Sequence, residues 1–586
     1  MKANTQPIKG VFMNSSLMII PYYQRRYVWD EKNWERFFND MTETVNSDTS
    51  YFLGAIILKE ESVTKQDRLN GVFSKSIVVD GQQRLTTLAI FMKILHYLTG
   101  DAHQIQDFDS YYLQNNPAHQ AIIEHNCEDR PEFSKIMTRN TLSFATNGNS
   151  RICQAYNYFL QQLKDYQKAG NGLANLLSSI YASVNFVVIS LDQDDDEQQI
   201  FDTLNSLGVS LTTDELLKNF LYSTQDEQIY RATWRKMFDT DEAHMYWGTD
   251  ASTAKTSKKD TVMDRFLQAF VRIKMWDFKD KLTTNDRIEF VRNENVYRAC
   301  KAFVERFGMN KLYLADEILG YAEIYQKYFD ESVLDKRDLP KVGCIERLIL
   351  LVITTQTFSA IPYILYILKN VTDQNERNDI FGYLETYLVR KFIRKDSTKS
   401  YRDFFSENLI GNHIKSYDEL KKYVSSKPQS ANLAMPDKKE LEGSVPIQTI
   451  DPKIGKVILY LYETKLNINF SFNECTVTLL MPSPTATSAQ NWPLDPSWDV
   501  AAAKTTIKGL GNLFLLGNHN GIRESEIKRA NNQPFANKKA LVEKYNNNIG
   551  TDQILKNKNS WTLDDIIRRD ELLAKAINEN IWPSGL

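Results

Sequence analysis

The chain has 586 residues, more than a single hydrophobic core usually holds, so roughly three or four domains are expected. Its 71 basic and 74 acidic residues leave a formal net charge of -3, so no overall field draws the chain to nucleic acid. Any such contact must come from a local patch. The five cysteines form no Cys-x-x-Cys pair, which argues against a zinc cluster and a disulfide framework. Reduced thiols are typical of a cytoplasmic protein.

One apolar segment raises the question of a membrane span. Residues 348–368 carry no charge and are about long enough to cross a bilayer. Polar residues and Pro362 in the middle of this segment favour two buried helices joined by a turn. The amino terminus also lacks the basic and then apolar pattern of a secretion signal. We therefore expect a cytoplasmic chain without membrane contact.

The segment 76–98 combines a strand, a glycine turn and a helix. Residues 76–79 are apolar and β-branched, which predicts a strand, and Gly81 permits a turn that a Cβ would hinder. From Arg84 to Leu98 apolar residues recur every three or four positions, which predicts a helix. Its first turn would then carry Gln82, Gln83 and Arg84, where free N–H groups and the helix dipole favour an anion.

Two interpretations of this turn are open on chemistry alone. In one, the forked cation of Arg84 binds phosphate oxygens. In the other, Asp80 only caps the helix and Arg84 pairs with an acidic neighbour. A second polar cluster upstream, residues 19–30, favours the first interpretation because its amide and guanidinium groups alternate with aromatic rings.

Taken together, the Ile-Pro-x-Tyr-Gln-Arg-x-Tyr-x-Trp pattern at 20–29 and Asp-Gly-Gln-Gln-Arg at 80–84 resemble the GmrSD-type amino-terminal domain. Segments 51–58, 201–208 and 214–219 match further motifs of that family in the same order. The resemblance implies an α/β fold related to ParB and sulfiredoxin, and a domain that binds and hydrolyses a nucleoside triphosphate in bacterial anti-phage restriction of modified DNA.

The resemblance also assigns site residues. It places catalysis on Asp80, Gln82, Gln83 and Arg84, and nucleotide binding on Gln24, Arg25, Tyr27, Asn205, Lys218 and Asn219. The nucleotide would be GTP or ATP, and the sequence does not decide whether Mg²⁺ takes part.

An acidic run follows the next predicted strand, residues 185–191. Asp194, Asp195 and Asp196 within it are open to two interpretations. They are metal ligands, or they cap and complement the dipole of a following helix, which is the commoner use of such acids. No metal ligand set is therefore assigned.

The middle of the chain, 226–425, has a helical pattern, as at 262–271 and 296–307. Within it Arg390, Lys391 and Arg394 crowd less than two helical turns and are candidates for DNA binding, although a structural role is an open alternative. A Ser/Pro-rich stretch at 425–430 predicts a boundary.

Beyond that boundary, residues 511–516, Asn520, 532–535, Lys538 and the closing segment 561–582 resemble the distal half of an HNH nuclease domain, which has a ββα-metal fold. In that family a histidine activates water. Leu479 occupies the histidine position here, and leucine neither takes a proton nor binds a metal. His519, beside Asn520, is the only nearby histidine. We therefore expect the fold to be kept and the cutting chemistry to be lost.

The sequence thus predicts an α+β multidomain protein with a nucleotide-binding domain at 1–225, a helical domain at 226–425 and a degenerate HNH-like domain at 426–586. The predicted function is NTP-dependent anti-phage restriction, with DNA or a protein partner recognised by the carboxy-terminal domain. Two alternatives are an active, NTP-regulated endonuclease that uses His519, and a non-catalytic recognition subunit of a separate nuclease. Oligomeric state is left open.

Overall fold

The chain divides into two compact units, Met1–Lys236 and Met237–Leu586. The computed structural model describes the chain except for residues 1, 13–16, 47–48, 115–119, 127, 144–147, 149, 193–211, 252–259, 293–294, 338, 340–344, 429–431, 445–448, 465–469, 484–490, 493–497, 518–523, 531–532, 546–552 and 585–586. The described part is mixed α+β, as predicted. The predicted domain boundaries at 225 and 425 stay a prediction.

The first unit contains a mixed sheet with the strand order β1-β6-β3-β4-β2-β5 in the described residues. The strands are β1 (Lys2–Pro7), β2 (Leu17–Ile19), β3 (Tyr51–Glu61), β4 (Lys75–Asp80), β5 (Ile123–Glu124) and β6 (Val184–Leu191). The strands predicted at 76–79 and 185–191 are therefore confirmed as β4 and β6.

Strand direction determines which loops meet. β2 is parallel to both β4 and β5, so the carboxyl ends of these three strands lie at one edge of the sheet. β6 is parallel to β3, and β3 is antiparallel to β4, so β6 ends at the opposite edge. Loops that follow β2, β4 and β5 are thus brought together, while the acidic run begins at the other edge.

The predicted helix after Gly81 is confirmed as Gln82–Leu98, and nearly all of it is buried in the core of the unit. Because it is covered on all sides, its apolar pattern is broad rather than confined to one stripe. The other helices of this unit are Ile8–Phe12, Glu31–Glu43, Lys65–Leu69, Ala102–Tyr112, Arg130–Thr138, Arg151–Lys168, Leu173–Ser183, Thr213–Leu221 and Glu227–Ala232, and the short helix Trp234–Phe238 contains the division between the units.

The second unit is mostly helical. Its described helices are Asp241–Trp247, Val262–Lys274, Thr284–Glu289, Val296–Glu305, Lys311–Tyr328, Ile345–Thr354, Ile361–Asn370, Gln374–Arg394, Tyr401–Asp403, Tyr417–Ser425, Lys438–Ser444, Pro452–Thr464, Val500–Ile507, Glu524–Ala530, Phe535–Tyr545, Gln553–Lys556 and Leu563–Ala576. Two π-helical turns, Phe404–Ile410 and Ile577–Ile581, accompany them.

The apolar segment 348–368 folds as predicted, with the helices Ile345–Thr354 and Ile361–Asn370 separated by a turn at Gln356. Within the described residues, no helix combines the length and the apolar character that crossing a membrane requires.

A two-stranded antiparallel sheet lies near the carboxyl end of the second unit. It pairs β7 (Cys475–Leu479) with β8 (Leu513–Gly517), so that Leu479 faces Leu513 across the ladder. The helix Phe535–Tyr545 packs on β8, and the predicted final helix is confirmed as Leu563–Ala576.

Candidate functional site

Three loops converge at the carboxyl edge of β2, β4 and β5. The first, which we call the Pro21 segment, comprises residues 21–30 after β2. The second is the turn Asp80–Arg84 after β4. The third contains His125, Asn126 and Asp129 after β5. Their polar side chains bond to one another's backbones, as described below.

The Asp80–Arg84 turn has the geometry that its glycine suggested. Gly81 precedes the helix with a φ of 97°, and a Cβ there would lie 2.6 Å from Cγ2 of Ile56. Gly81 also offers no side chain to cap the helix. The first-turn N–H groups therefore have no acceptor within the helix and no side-chain cap.

Arg84 is held at this turn from two sides. Its Nη2 donates to Oδ2 of Asp80 at 3.0 Å, which fits the interpretation in which Arg84 pairs with an acidic neighbour. Gly54 of β3 lies beneath it, and a Cβ at Gly54 would be 2.9 Å from Nη1 of Arg84. The side chain is 29% exposed, yet its Nε is buried without a hydrogen-bond partner. A pairing with Asp80 thus leaves guanidinium N–H groups for a ligand.

Gln82 and Gln83 bind the Pro21 segment. Nε2 of Gln82 donates to the carbonyl oxygen of Arg25 at 3.1 Å. Gln83 is buried; its Oε1 accepts from the amide of Val28 at 2.9 Å, and its Nε2 donates to the carbonyl oxygen of Arg26 at 3.1 Å. Both ends of the Gln83 amide bond to the protein's own backbone, which holds the Pro21 segment in place, and a catalytic role for Gln83 stays a prediction.

Gln24 and Tyr27, two of the predicted nucleotide ligands, are buried. Nε2 of Gln24 donates to the carbonyl oxygen of Val78 at 2.6 Å. The Tyr27 hydroxyl lies 2.6 Å from Oγ1 of Thr87 and accepts from Nε1 of Trp34 at 2.8 Å. Only 8% and 3% of these two residues are exposed, and these bonds anchor the segment to the rest of the unit. Their contact with a nucleotide stays a prediction. Arg25, by contrast, is partly exposed.

The second group of predicted nucleotide ligands lies partly outside the described residues, since it includes Asn205; the same holds for Asp194, Asp195 and Asp196. Lys218 and Asn219 lie on the helix Thr213–Leu221, and Lys218 is buried. The chain just after this helix is attached to the Pro21 segment, because the Tyr22 hydroxyl donates to the carbonyl oxygen of Ser223 at 2.5 Å.

The third loop holds residues that the sequence analysis missed. His125, Asn126 and Asp129 are all buried. Burial raises the pKa of Asp129 to about 6, and burial together with nearby Arg130 lowers the pKa of His125 to about 3. A histidine next to an asparagine and an aspartate, just after the apolar pair Ile122–Ile123, was the available signal.

The DNA-binding candidates of the second unit, Arg390, Lys391 and Arg394, lie on the helix Gln374–Arg394. Arg390 and Lys391 are 0% exposed. Arg390 donates to the carbonyl oxygen of Pro436 at 2.8 Å, and Nζ of Lys391 pairs with Oδ2 of Asp396 at 2.6 Å. Arg394 also pairs with Asp396. All three cations thus bond to groups of the protein itself, although Nη2 of Arg390 is buried without a hydrogen-bond partner. These contacts fit the structural alternative, and the DNA-binding role stays a prediction.

At the predicted nuclease motif, Leu479 ends β7 and its carbonyl oxygen accepts from Nζ of Lys538 at 2.5 Å. Lys538 is buried, and burial lowers its pKa to about 8. His519 and Asn520 lie outside the described residues. In the part of the chain that is described, no group of three His, Cys, Asp or Glu side chains could hold a metal ion.

Two family models match this chain. The GmrSD restriction endonuclease amino-terminal domain matches residues 8–222, which contain all three loops of the site. The GmrSD restriction endonuclease carboxy-terminal domain matches residues 484–576. No curated protein matches the sequence. Since both domains of the family are present in order and together cover more than half of the chain, the protein belongs to the GmrSD restriction endonuclease family.

Proposed function

We propose that this protein restricts foreign DNA, such as modified phage DNA, and that the turn Asp80–Arg84 binds a nucleoside triphosphate that controls this activity. Membership of a restriction endonuclease family supports DNA as the target. We also keep the ParB/sulfiredoxin-like fold for the amino-terminal domain and the HNH-like fold for the carboxy-terminal one as part of the proposal, with a cytoplasmic location.

The observation that carries the nucleotide site is the position of Arg84 on an uncapped helix start. The first-turn N–H groups and the dipole attract an anion, and the guanidinium lies beside them with donors to spare. Gly54 lets the side chain lie close to the sheet. In this proposal, Arg84 and the partly exposed Arg25 offset phosphate charge, and Asp80 orients Arg84.

Gln82 is the remaining polar group of the turn. Its Nε2 is bonded to the Arg25 backbone, and its Oε1 accepts from an incoming water or ligand group in this proposal. Mg²⁺ would reach the site bound to the triphosphate and would neutralise part of its charge, with the half-exposed Asp80 as the nearest carboxylate of the turn.

Replacement of Arg84 tests the site. We expect Arg84→Ala to weaken the binding of GTP or ATP at least tenfold, which corresponds to about 1.4 kcal/mol, because a charged phosphate contact is lost. Isothermal titration calorimetry with each magnesium nucleotide measures it. Arg68→Ala is the matched control, since Arg68 is exposed on the helix Lys65–Leu69, which precedes β4 and lies towards its other end. Equal affinities of the wild type and the Arg84 variant would remove the turn as the nucleotide site.

The restriction role is tested separately in cells. Bacteria that express the wild-type chain should suppress plaque formation by a phage with modified DNA, and Arg84→Ala should abolish the suppression. Arg68→Ala should retain it. Protection that is independent of Arg84 would show that nucleotide binding at this turn does not control restriction.

The carboxy-terminal domain has a second candidate role as an active nuclease. Leu479 at the histidine position and the ammonium of Lys538 on its carbonyl oxygen favour an inactive domain that recognises DNA or a partner protein, including a separate nuclease. We expect the purified chain to leave plasmid and phage DNA intact with Mg²⁺ or Mn²⁺. Nicking that disappears in His519→Ala would establish the active nuclease instead.

A further inference from the structure

The loop after β5 has no role in the proposed function so far, although it lies at the same edge as the nucleotide turn. β5 pairs with β2, and the amide of Ile20 donates to the carbonyl oxygen of Glu124 at 2.8 Å. The chain therefore leaves β5 directly beside the start of the Pro21 segment. Three buried polar side chains follow, namely His125, Asn126 and Asp129.

Two of these side chains bind the backbone of the Pro21 segment. Nδ2 of Asn126 lies 3.4 Å from the carbonyl oxygen of Gln24 and 3.3 Å from that of Arg25. Oδ2 of Asp129 accepts from the amide of Tyr27 at 2.7 Å. The Oδ1 atom of Asn126 accepts from the amide of Asp129 at 3.1 Å, so the two anchors are also fixed to each other.

The third side chain reaches the nucleotide turn itself. The hydroxyl of Thr86 donates its one hydrogen to the carbonyl oxygen of Gln82 at 2.7 Å. It must then accept from Nε2 of His125, which lies 2.9 Å away. Burial lowers the pKa of His125 to about 3, which favours the neutral ring, and the bond to Thr86 then places its hydrogen on Nε2. A chain of two hydrogen bonds thus runs from His125 to Gln82.

We infer that His125, Asn126 and Asp129 are positioning residues that fix Arg25 and the first helical turn in the arrangement that the nucleotide needs. This inference rests on the proposed function. In this arrangement none of the three side chains binds the phosphates. Asn126 holds the backbone of Gln24 and Arg25, Asp129 holds the amide of Tyr27, and His125 acts on Gln82 through Thr86.

A pair of facing acceptors makes this network sensitive to pH. Nδ1 of His125 has no hydrogen-bond partner and lies 3.9 Å from Oδ2 of Asp129, so both atoms offer lone pairs to a buried space. Burial raises the pKa of Asp129 to about 6; the charge of Arg26 lowers this pKa and the charge of Glu128 raises it. Arg130 faces His125, and Arg235 pairs with Glu128. Below about pH 6 a proton enters the pair, and the bond from the Tyr27 amide to a carboxylate becomes a weaker bond to a neutral acid.

The variant Asp129→Asn imitates the protonated state at every pH. Its carbonyl oxygen can still accept from Tyr27, and its amide can donate towards His125. We expect this variant to bind GTP or ATP at least fivefold more weakly than the wild type at pH 7.5, and about equally at pH 5. Taking the ratio of the two dissociation constants at each pH cancels the titration of the nucleotide's own phosphate, which also falls near pH 6.

Matched variants separate positioning from general damage. Asn126→Ala should also lose at least fivefold in affinity at pH 7.5. Asp101→Asn is the control, because Asp101 accepts a backbone amide at an exposed helix start of the same unit, and it should leave the ratio at one throughout. A ratio for Asp129→Asn that does not change with pH, or an unchanged affinity of Asn126→Ala, would overturn the inference.

Hydrogen exchange without nucleotide distinguishes this inference from the proposed function. Asn126→Ala and Asp129→Ala should speed the exchange of amides 22–29 and leave those of the helix Arg151–Lys168 unchanged. If these amides respond but no variant and no wild-type protein binds nucleotide, the proposed function fails and the anchoring of the segment stands. If nucleotide binds but the exchange rates of amides 22–29 do not change, the inference fails and the proposed nucleotide site is kept.

Discussion

At the scale of single residues, one buried carboxyl group makes stability depend on pH. Asp570 is 0% exposed; its Oδ1 accepts from the amide of Gly511 at 2.6 Å, and its Oδ2 is buried without a hydrogen-bond partner. Burial raises its pKa to about 7. The folded chain therefore holds this proton at pH values where the unfolded chain has lost it, and this contribution to stability falls as the pH rises from about 4 to about 7.

We expect Asp570→Asn to remove that loss, since the amide keeps the acceptor for Gly511 and carries no charge. Relative to the wild type, the variant's free energy of unfolding should rise by about 3 kcal/mol between pH 4.5 and pH 7.5. Urea unfolding of both chains at the two pH values measures it. Asp564→Asn, on the exposed side of the same helix, should show no such change. A difference that is constant with pH would contradict the prediction.

The residue scale also shows what the sequence motifs could and could not predict. They located the turn, and Arg84 lies where an anion site needs it. They did not reveal that Gln83, Gln24 and Tyr27 turn their polar atoms inward, because a motif does not state which acceptors surround a side chain. The backbone groups that bond to Gln24 and Gln83 belong to other parts of the chain and become neighbours only when β2 and β4 pair. The Tyr27 hydroxyl bonds to the side chains of Thr87 and Trp34.

At the scale of elements, the helix Ile345–Thr354 ends in an unusual way. Gln356 follows it with a φ of 56°, the left-handed region that favours glycine. The amide of Thr357 donates to the carbonyl oxygen of Val352 at 2.9 Å, and that of Gln356 to Ile353 at 3.2 Å. This bonding is the Schellman arrangement, in which glycine is the common residue at the left-handed position.

We expect Gln356→Gly to stabilise the second unit by about 0.5 to 1 kcal/mol, because the side chain is exposed and the glycine removes the cost of the left-handed backbone. Thr355→Gly, one position earlier, should destabilise it instead, since its φ is not among the positive ones and its hydroxyl bond to Leu351 is lost. Thermal and urea unfolding compare the three chains. Destabilisation by Gln356→Gly would show that its side chain, and not its backbone, determines the turn.

The type of a secondary-structure element could be predicted from the sequence more readily than its first and last residues. The strands at 76–79 and 185–191 and the two helices of 348–368 could be identified because their apolar patterns are long or strongly periodic. β5 is only two residues long and has no such pattern, although its position beside β2 brings the His125 loop to the site. β5, which the sequence analysis did not predict, thus brings the third loop to the site.

At the scale of the whole molecule, a cluster of cationic residues in the sequence can be buried inside the folded protein. Because the net charge is only -3, a DNA-binding surface must come from a local cluster of cations, and residues 390–394 were the predicted cluster in the helical region. In the structure, Arg390 joins three segments of the second unit, because it donates to Pro436, to Oδ1 of Asn578 at 2.7 Å and to the carbonyl oxygen of Trp582 at 2.9 Å. A cluster of cations in sequence therefore serves here to hold the carboxyl terminus of the unit to a central helix.

This arrangement gives the last prediction, which separates stability from DNA contact. Arg390→Met fills the space of the arginine but leaves the three acceptors unpaired, so the free energy of unfolding of the second unit should fall by about 2 to 4 kcal/mol. The salt dependence of DNA binding by the folded variant should equal that of the wild type, because a buried guanidinium releases no counterion from the phosphates. A real phosphate contact would instead reduce the slope of log K against log salt by about one. Arg402→Met, at an exposed position of the same unit, is the matched control for stability and should change it little. Filter binding at several salt concentrations, under conditions where circular dichroism shows the variant to be folded, decides between an internal brace and a DNA-binding surface.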